Sequence, residues 1–219
     1  MKLHSLLSSI GLACTGAVLI SSTAFAAEPV TGVYIGGGLA YSSASGLGGK
    51  IDSAMAAQGL GTSSTADSSS TNPNVRLGYQ LNSNFAIEGS YDRVGTMNVQ
   101  SAVSTPSADT ASGTWKAHGL GLSVVGRLPI DNKWSVYGRL GAEQWRTSLN
   151  LTSNTGGATN AGTSSITTGL VTGLGTAYSV SRNIDATAEY IHYDRVGSTS
   201  ATGQTGINSF NLGMNYHFM

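Results

Sequence analysis

The side chains of this sequence that could do chemistry are few, and they do not form a complete catalytic set. Catalysis by a serine requires a neighbouring histidine, which a third group such as a carboxylate orients. His192 and Asp194 are the only histidine and carboxylate at short spacing, and neither His118 nor His192 has a serine two residues further on. The histidines are also widely separated, so the sequence predicts no metal site and no cofactor.

The charges of the chain are balanced, with 11 lysines and arginines against 11 aspartates and glutamates. A nucleic-acid partner would require a basic surface, so none is expected. The single cysteine, Cys14, lies near the N-terminus. No disulfide is therefore predicted for the rest of the chain.

The N-terminus is typical of a secretory signal peptide. Lys2 and His4 precede an apolar stretch at 6–20, and the small residues Ala24 and Ala26 follow with one residue between them. A charged start, an apolar middle and a small-x-small site predict export and cleavage. We expect residues 1–26 to be removed and residues 27–219 to form one domain.

Strict alternation of apolar and small or polar residues predicts β-strands with one apolar face. It is clearest at 208–219, where every second residue from Phe210 to Phe218 is large and apolar. Seven further segments share this pattern: 33–41, 75–81, 85–91, 120–128, 134–142, 166–180 and 184–190. Beyond the signal peptide no apolar run approaches the ~20 residues of a membrane helix. The predicted fold is therefore all-β, an eight-stranded antiparallel up-and-down transmembrane β-barrel.

The connections between these strands alternate in length. Short polar turns such as 82–84 alternate with long segments rich in serine, threonine, glycine and alanine, which are 42–72, 96–114, 146–164 and 197–206. Outer-membrane barrels have short periplasmic turns and longer extracellular loops. The long segments are therefore predicted to be mobile extracellular loops.

The sequence resembles the OmpA-like small outer-membrane β-barrels over nearly the whole predicted mature chain. The resemblance rests on the segments 32–38, 77–81 with 85–88, 188–190 and 216–218. It implies residence in the outer membrane of a Gram-negative bacterium and contact with outer-membrane lipids and lipopolysaccharide. It also implies recognition of the C-terminal strand by the outer-membrane assembly machinery. The sequence departs from the family pattern in two ways. Met219 follows Phe218 where the family usually ends in an aromatic residue, and no peptidoglycan-binding domain is expected after the last strand. Cell-wall tethering is therefore not expected.

Alternation also assigns charged residues to the interior of the predicted barrel. The inward set comprises Arg76, Glu88, Arg139, Glu143 and Glu189. An eight-stranded barrel has an interior just wide enough for side chains to fill, and buried charges need partners. We expect one ion-pair network, with Arg76 and Glu88 diagonal neighbours if Leu81 pairs with Phe85. A static polar filling is the simpler interpretation; the family resemblance adds the alternative of a gate on a narrow conductance.

The segment Tyr-Asp-Arg-Val-Gly occurs twice, at 91–95 and 193–197. Arg93 and Arg195 could contact lipopolysaccharide phosphates, since arginine presents a fork of donors that matches phosphate. The alternative is that the segment merely ends a strand at the headgroup level. Because Tyr193 would otherwise face inward, unlike Tyr91, we predict a β-bulge at 191–193.

Most remaining aromatic residues are predicted to form two girdles at the membrane interfaces. Phe85, Trp134, Tyr178 and Phe218 would form the periplasmic girdle, and Tyr41, Tyr91, Trp115 and Tyr190 the outer one. Stacking on a sugar or base is the alternative for Trp115 and Trp145.

The favoured function is a structural role in envelope integrity with possible narrow passage of small solutes, without enzymatic activity. One alternative is an adhesin or receptor acting through the long loops, whose sequence names no ligand. Another, less favoured, is a lipid A-modifying barrel enzyme that uses His192. A soluble lipocalin-like barrel would need the apolar face inside, whereas here the inward set carries the charges.

Overall fold

The protein is a closed eight-stranded antiparallel β-barrel with a short helix and one additional strand at its outer end. The structure, a computed structural model, describes residues 31–155 and 161–218. The predicted signal peptide lies outside these residues, so cleavage after residue 26 stays a prediction. The elements are β1 (Gly32–Ala44), α1 (Leu47–Ala56), β2 (Gly61–Ala66), β3 (Ser69–Gln80), β4 (Phe85–Thr105), β5 (Asp109–Pro129), β6 (Trp134–Ser153), β7 (Ala161–Ser179), β8 (Ile184–Val196) and β9 (Thr205–His217).

Pairing between β1 and β9 closes the barrel. Each of the strands β3 to β8 pairs with the next one in the chain, and β1 pairs with both β3 and β9. The short strand β2 is not a stave of the barrel, because it pairs only with the outer half of β4. Within the described ranges, no helix has the length and hydropathy needed to cross a membrane.

The register and the facing of the strands agree with the alternation in the sequence. Tyr79 lies opposite Ile87 and Leu77 opposite Gly89, as the predicted Leu81–Phe85 turn requires. The large apolar residues of the alternating set point outward; Leu120, for example, is 67% exposed. A continuous apolar outer surface is what a barrel in lipid needs. A lipocalin-like barrel would have the opposite arrangement.

The prediction of four mobile loops is wrong for most of their length. β4 and β5 continue as a hairpin through 96–114, with Val99 paired to Gly113 and Ala102 to Thr110. β6 continues to Ser153, and the segment 42–72 contains α1, β2 and the start of β3. Small residues can still alternate between an inward and an outward face. A complete ladder supplies hydrogen-bond partners to their backbone N–H and C=O groups just as it does for large residues. Among the described residues, the connection that stays irregular over most of its predicted length is 197–204, since β9 begins at Thr205.

The β-bulge predicted at 191–193 is absent. Pairing with β9 runs unbroken through this segment, and the register changes only between Tyr193 and Val196. The first copy of the repeated segment has its irregularity between Arg93 and Gly95. Gly95 and the equivalent Gly197 have φ of 85° and 92°, a backbone conformation that favours glycine. The repeated segment therefore marks an irregularity in two strands, while Tyr91 faces outward and Tyr193 inward.

The aromatic girdles are present with one exception. Phe85, Trp134 and Phe218 are exposed on the outer surface, and the half-buried Tyr178 packs against Trp134 with 4.9 Å between ring centroids. Tyr41 and Tyr190 are also exposed, at the outer side. Trp115 does not belong to the outer girdle, because its side chain points into the barrel and is fully buried.

Candidate functional site: the barrel interior

Two arginines and two glutamates form a buried ion-pair network in the middle of the barrel. Arg139 bridges both acids, with Nη2 2.7 Å from Glu88 Oε2 and Nε 2.7 Å from Glu189 Oε1. Arg76 Nη1 lies 2.5 Å from Glu189 Oε2. The Tyr34 hydroxyl donates a hydrogen bond to Glu88 Oε1 at 2.7 Å. Two positive and two negative charges thus compensate one another, which burial requires.

The four side chains come from four strands, and glycines on neighbouring strands leave room for them. Glu88 lies opposite Gly78, and Glu189 opposite Gly175. A Cβ on Gly78 would overlap the Tyr34 ring, and a Cβ on Gly175 would lie 2.5 Å from Cζ of Tyr137. The inward glycines therefore leave room for the two tyrosine rings beside the network, and a Cβ on Gly173 would lie 2.9 Å from Glu189 Oε1 itself.

Two details of the network differ from the sequence-based expectation. The ion pair of Arg76 reaches across the barrel to Glu189 on β8, whereas Glu88 was its expected neighbour. Nε and Nη2 of Arg76 are buried without a hydrogen-bond partner among the residues described. Glu143 does not join the ion pairs.

Glu143 lies further out along β6, where it is almost fully buried. Its neighbour is Asp92, which is also buried and close enough for its charge to act on Glu143. Glu143 Oε1 has no hydrogen-bond partner in the part of the chain that the structure describes. Sequence analysis missed Asp92, although it follows Glu88 and Ser90 on the inward face of β4.

An apolar layer fills the barrel beyond the carboxylates. Trp115 and Trp145 form its centre, and Tyr193 packs edge-on against Trp145 with 5.1 Å between ring centroids. The Trp115 indole donates a hydrogen bond to the backbone oxygen of Thr202 at 3.0 Å. The layer is completed by Ala44, Val94, Met97, Val99, Ala111, Ala117, Leu149, Leu151, Val171, Ile191, Val196 and Ile207.

Helix α1 is packed onto this apolar layer at the outer end of the barrel. Its buried residues are Leu47, Ile51, Ala54 and Met55, at helical spacing on one face. Three of them belong to the same apolar cluster as the two tryptophans. The helix therefore closes the outer end of the barrel.

The periplasmic end of the interior is more open. A small pocket of about 30 Å³ is lined by Arg127, His217, Arg76 and Glu88. Beside it, Asp185 accepts from Arg127 Nη2 at 2.9 Å and lies 3.3 Å from His217 Nε2. Sequence analysis did not identify this second ion-pair cluster, although Arg127 and Asp185 face inward by alternation.

The outer surface carries the two arginines expected to contact lipopolysaccharide, and their surroundings differ. Both are exposed. Arg195 Nε lies 3.3 Å from Asp194 Oδ2, whereas Arg93 has no carboxylate within 4.0 Å in the described part of the chain. On β5, His118 lies directly opposite Arg93.

The structure does not assemble a catalytic site around His192. Its Nδ1 lies 2.7 Å from Asn208 Oδ1, while Asp194 Oδ1 accepts from the backbone N–H of Leu170 at 2.6 Å. The histidine–carboxylate pair that a lipid A-modifying enzyme would need is therefore not formed by His192 and Asp194. Among the described residues, no three histidine, cysteine, aspartate or glutamate side chains are grouped so that they could hold a metal ion.

Comparison with known proteins agrees with this architecture. The family model for the OmpA-like transmembrane domain matches residues 30–219. The outer-membrane protein OprG from Pseudomonas aeruginosa is similar, with a TM-score of 0.56, 17% identity, and coverage of 87% of this chain and 97% of OprG. Neisserial surface protein A is similar with a TM-score of 0.53, 16% identity, and coverage of 85% and 97%. None of the curated proteins matches the sequence significantly.

Proposed function

Because the chain belongs to the family of OmpA-like transmembrane domains and resides in the bacterial outer membrane, we propose that it is a closed structural barrel that supports envelope integrity. The observation that carries the proposal is that the interior is filled at two successive levels. The ion-pair network fills the middle, and the apolar layer under α1 fills the outer half. Such a barrel contributes a rigid, lipid-covered body to the membrane and no open path.

The two levels oppose solute passage for different physical reasons. Breaking a buried ion pair leaves an uncompensated charge, at a cost of about 3–5 kcal/mol. The apolar layer offers a hydrated ion few polar side-chain partners. Trp145 Nε1 has no hydrogen-bond partner among the described residues, and the hydroxyls of Thr147, Ser165 and Thr202 bond one another. Desolvating an ion with so few partners is costly. Rearrangement of the charges alone therefore leaves the outer half closed.

The proposal is tested in the native bacterium by deleting the gene and measuring release of a periplasmic enzyme and sensitivity to detergent. We expect both to increase and to be restored by the wild-type protein. A variant that lacks the outermost residues of the β4–β5 hairpin, 100–110, should restore them equally, since the barrel is the functional part. An envelope unaffected by the deletion would contradict the structural role.

Narrow, slow passage of small solutes is the second candidate, and the periplasmic pocket favours it. The pocket brings solvent-sized space to Arg76, whose Nε and Nη2 lack partners among the described residues. A guanidinium carries five N–H donors, so Arg76 has donors available for Glu88 if its ion pair with Glu189 opens. The gate hypothesis for Arg76, Glu88, Arg139 and Glu189 thus remains a proposal, and it requires that α1 also leave the outer end.

A binding role at the outer end is favoured by one feature of the fold. The β4–β5 hairpin and β2 form a sheet that continues beyond the apolar band, and binding residues are often presented on such rigid supports. This binding role is tested by comparing the adhesion of whole cells to host matrix when the protein has or lacks residues 100–110. Equal adhesion would exclude the β4–β5 hairpin as the binding site. We propose no catalytic role for His192.

A further inference from the structure

Four basic side chains form a patch on the outer surface of three adjacent strands. Arg93 on β4 lies opposite His118 on β5, and His118 lies opposite Arg146 on β6. Lys116 follows two residues further out on β5, on the same face. All four side chains are exposed. Since neighbouring strands lie about 5 Å apart, Arg93, His118 and Arg146 form one row across the barrel wall, and Lys116 lies beside it.

The patch begins where the apolar outer surface ends. The next outward-facing residues toward the membrane centre are Tyr91, Leu120 and Gln144, of which Leu120 is among the most exposed apolar residues of the protein. On β5 the apolar set extends from Leu128 to Leu120. The row at His118 lies ten residues from Leu128, which is about 33 Å along the strand, or roughly 25 Å across a membrane at the usual tilt. That is the height of the apolar band of an outer-membrane barrel, so the patch lies at the headgroup level.

The charges of the patch are not neutralised by the protein. Arg93, Lys116 and Arg146 have no carboxylate within 4.0 Å in the described ranges, and the nearby acids Asp92 and Glu143 point into the barrel. Arg195, in contrast, has Asp194 beside it. The patch therefore presents an uncompensated positive charge directly beside a lipid-facing surface.

We propose that the patch of Arg93, Lys116, His118 and Arg146 binds the phosphate groups of one lipid A molecule in the outer leaflet. Arginine matches a phosphate with two parallel N–H donors, and lysine adds a point charge. The acyl chains of the same molecule would pack against Leu120 and its apolar neighbours. This continuity of charged and apolar surface favours a lipid over a soluble anion. Arg93 belongs to the proposed lipid site, whereas Arg195, which has Asp194 beside it, does not. The inference rests on the outer-membrane location and not on the proposed structural role.

Binding is measured with the refolded full-length mature chain in phosphatidylcholine nanodiscs that contain lipid A, by counting bound lipid A with native mass spectrometry. The double variant Arg93→Gln/Arg146→Gln should bind about 30-fold more weakly, since each cation near an anionic surface contributes about 5-fold. Arg195→Gln, and Arg182→Gln in a periplasmic turn, remove the same charge elsewhere and should change binding by less than about 2-fold. Retention of the heat-modifiable gel shift verifies that each variant is folded. If the double variant does not refold, Lys116→Gln alone should weaken binding about 5-fold.

Three results would overturn the proposal. Lipid A stripped of its phosphates could bind as tightly as intact lipid A, which would remove the role of charge. The control variants could weaken binding as much as the double variant, which would mean that total charge and not this patch is recognised. Inorganic pyrophosphate could displace lipid A at comparable concentration, which would indicate a site for soluble anions.

Discussion

Replacing Arg139 with methionine should be among the most destabilising single substitutions in the barrel. The Arg139 side chain is 2% exposed and provides two ion pairs at 2.7 Å, to Glu88 and Glu189. Methionine fills a similar volume but leaves two buried carboxylates with only Arg76 to compensate them. One uncompensated buried charge costs about 3–5 kcal/mol, a large part of the 5–15 kcal/mol that typically stabilises a folded domain.

A second substitution tests whether charge imbalance is the cause. In the double variant Arg139→Met/Glu88→Gln, one positive and one negative charge are removed together, and the Arg76–Glu189 pair remains. We expect the double variant to be more stable than Arg139→Met by roughly 2 kcal/mol, because the losses of residues in one network are coupled and do not add. Arg182→Met removes an exposed arginine from a turn and should change stability by less than about 0.5 kcal/mol.

The assay is urea unfolding of the refolded protein in lipid vesicles, with the heat-modifiable gel shift as the measure of the folded fraction. With a slope of about 2 kcal/mol per molar urea, the Arg139→Met midpoint should fall by about 2 M relative to wild type. A loss below about 1 kcal/mol would refute the reasoning. So would a double variant whose loss equals the sum of the two single losses.

Three further predictions concern the apolar layer, a close strand contact and a periplasmic turn. Trp115→Ala should cost about 3–5 kcal/mol in the same urea assay, because it opens a cavity under α1, and a cost no larger than that of Trp134→Ala on the outer surface would contradict the inward placement. Gly141→Ala should cost about 1–3 kcal/mol, since its Cβ would lie 2.7 Å from Ser123 Cα. Gly126→Ala, whose Cβ would lie 3.7 Å from its nearest neighbour, should be tolerated, and equal losses would contradict the packing. In the 129–133 turn, hydrogen bonds from the backbone N–H groups of Trp134 and Lys133 hold the pKa of Asp131 below its ordinary value. The stabilisation from Asp131 is therefore present above pH of about 4 and is lost as the pH falls through the lowered pKa; an NMR titration midpoint at or above about 3.9 would contradict this.

Alternation in the sequence was sufficient to predict the barrel, its lipid-facing surface and the register of the hairpin at Leu81–Phe85. It succeeds there because hairpin pairing is local and a slip of one residue would exchange the two faces. The same rule also places Trp115 and Trp145 inside, since each lies five residues beyond an outward leucine. Their assignment to an interface or to a ligand came from their residue type and was wrong for that reason.

Other features depend on contacts that a single sequence does not contain. The pairing of Arg76 with Glu189 joins β3 to β8 across the barrel, and it depends on the tilt and stagger that closure imposes. Helix α1 was not predicted, because its segment contains two glycines and is only ten residues long. An isolated helix of that length is marginal in water, and here Leu47, Ile51 and Met55 stabilise it by packing in the barrel mouth.

Planar-bilayer recording tests most directly whether the barrel is closed at two levels. The wild-type protein, Arg139→Met, and a variant with residues 47–56 replaced by a flexible linker should each show no steady conductance above that of the bare bilayer. The combination of both changes should conduct, because it disrupts the charged network and removes the helix that covers the apolar layer. Steady conductance steps in the wild-type protein, or in Arg139→Met alone, would contradict the account.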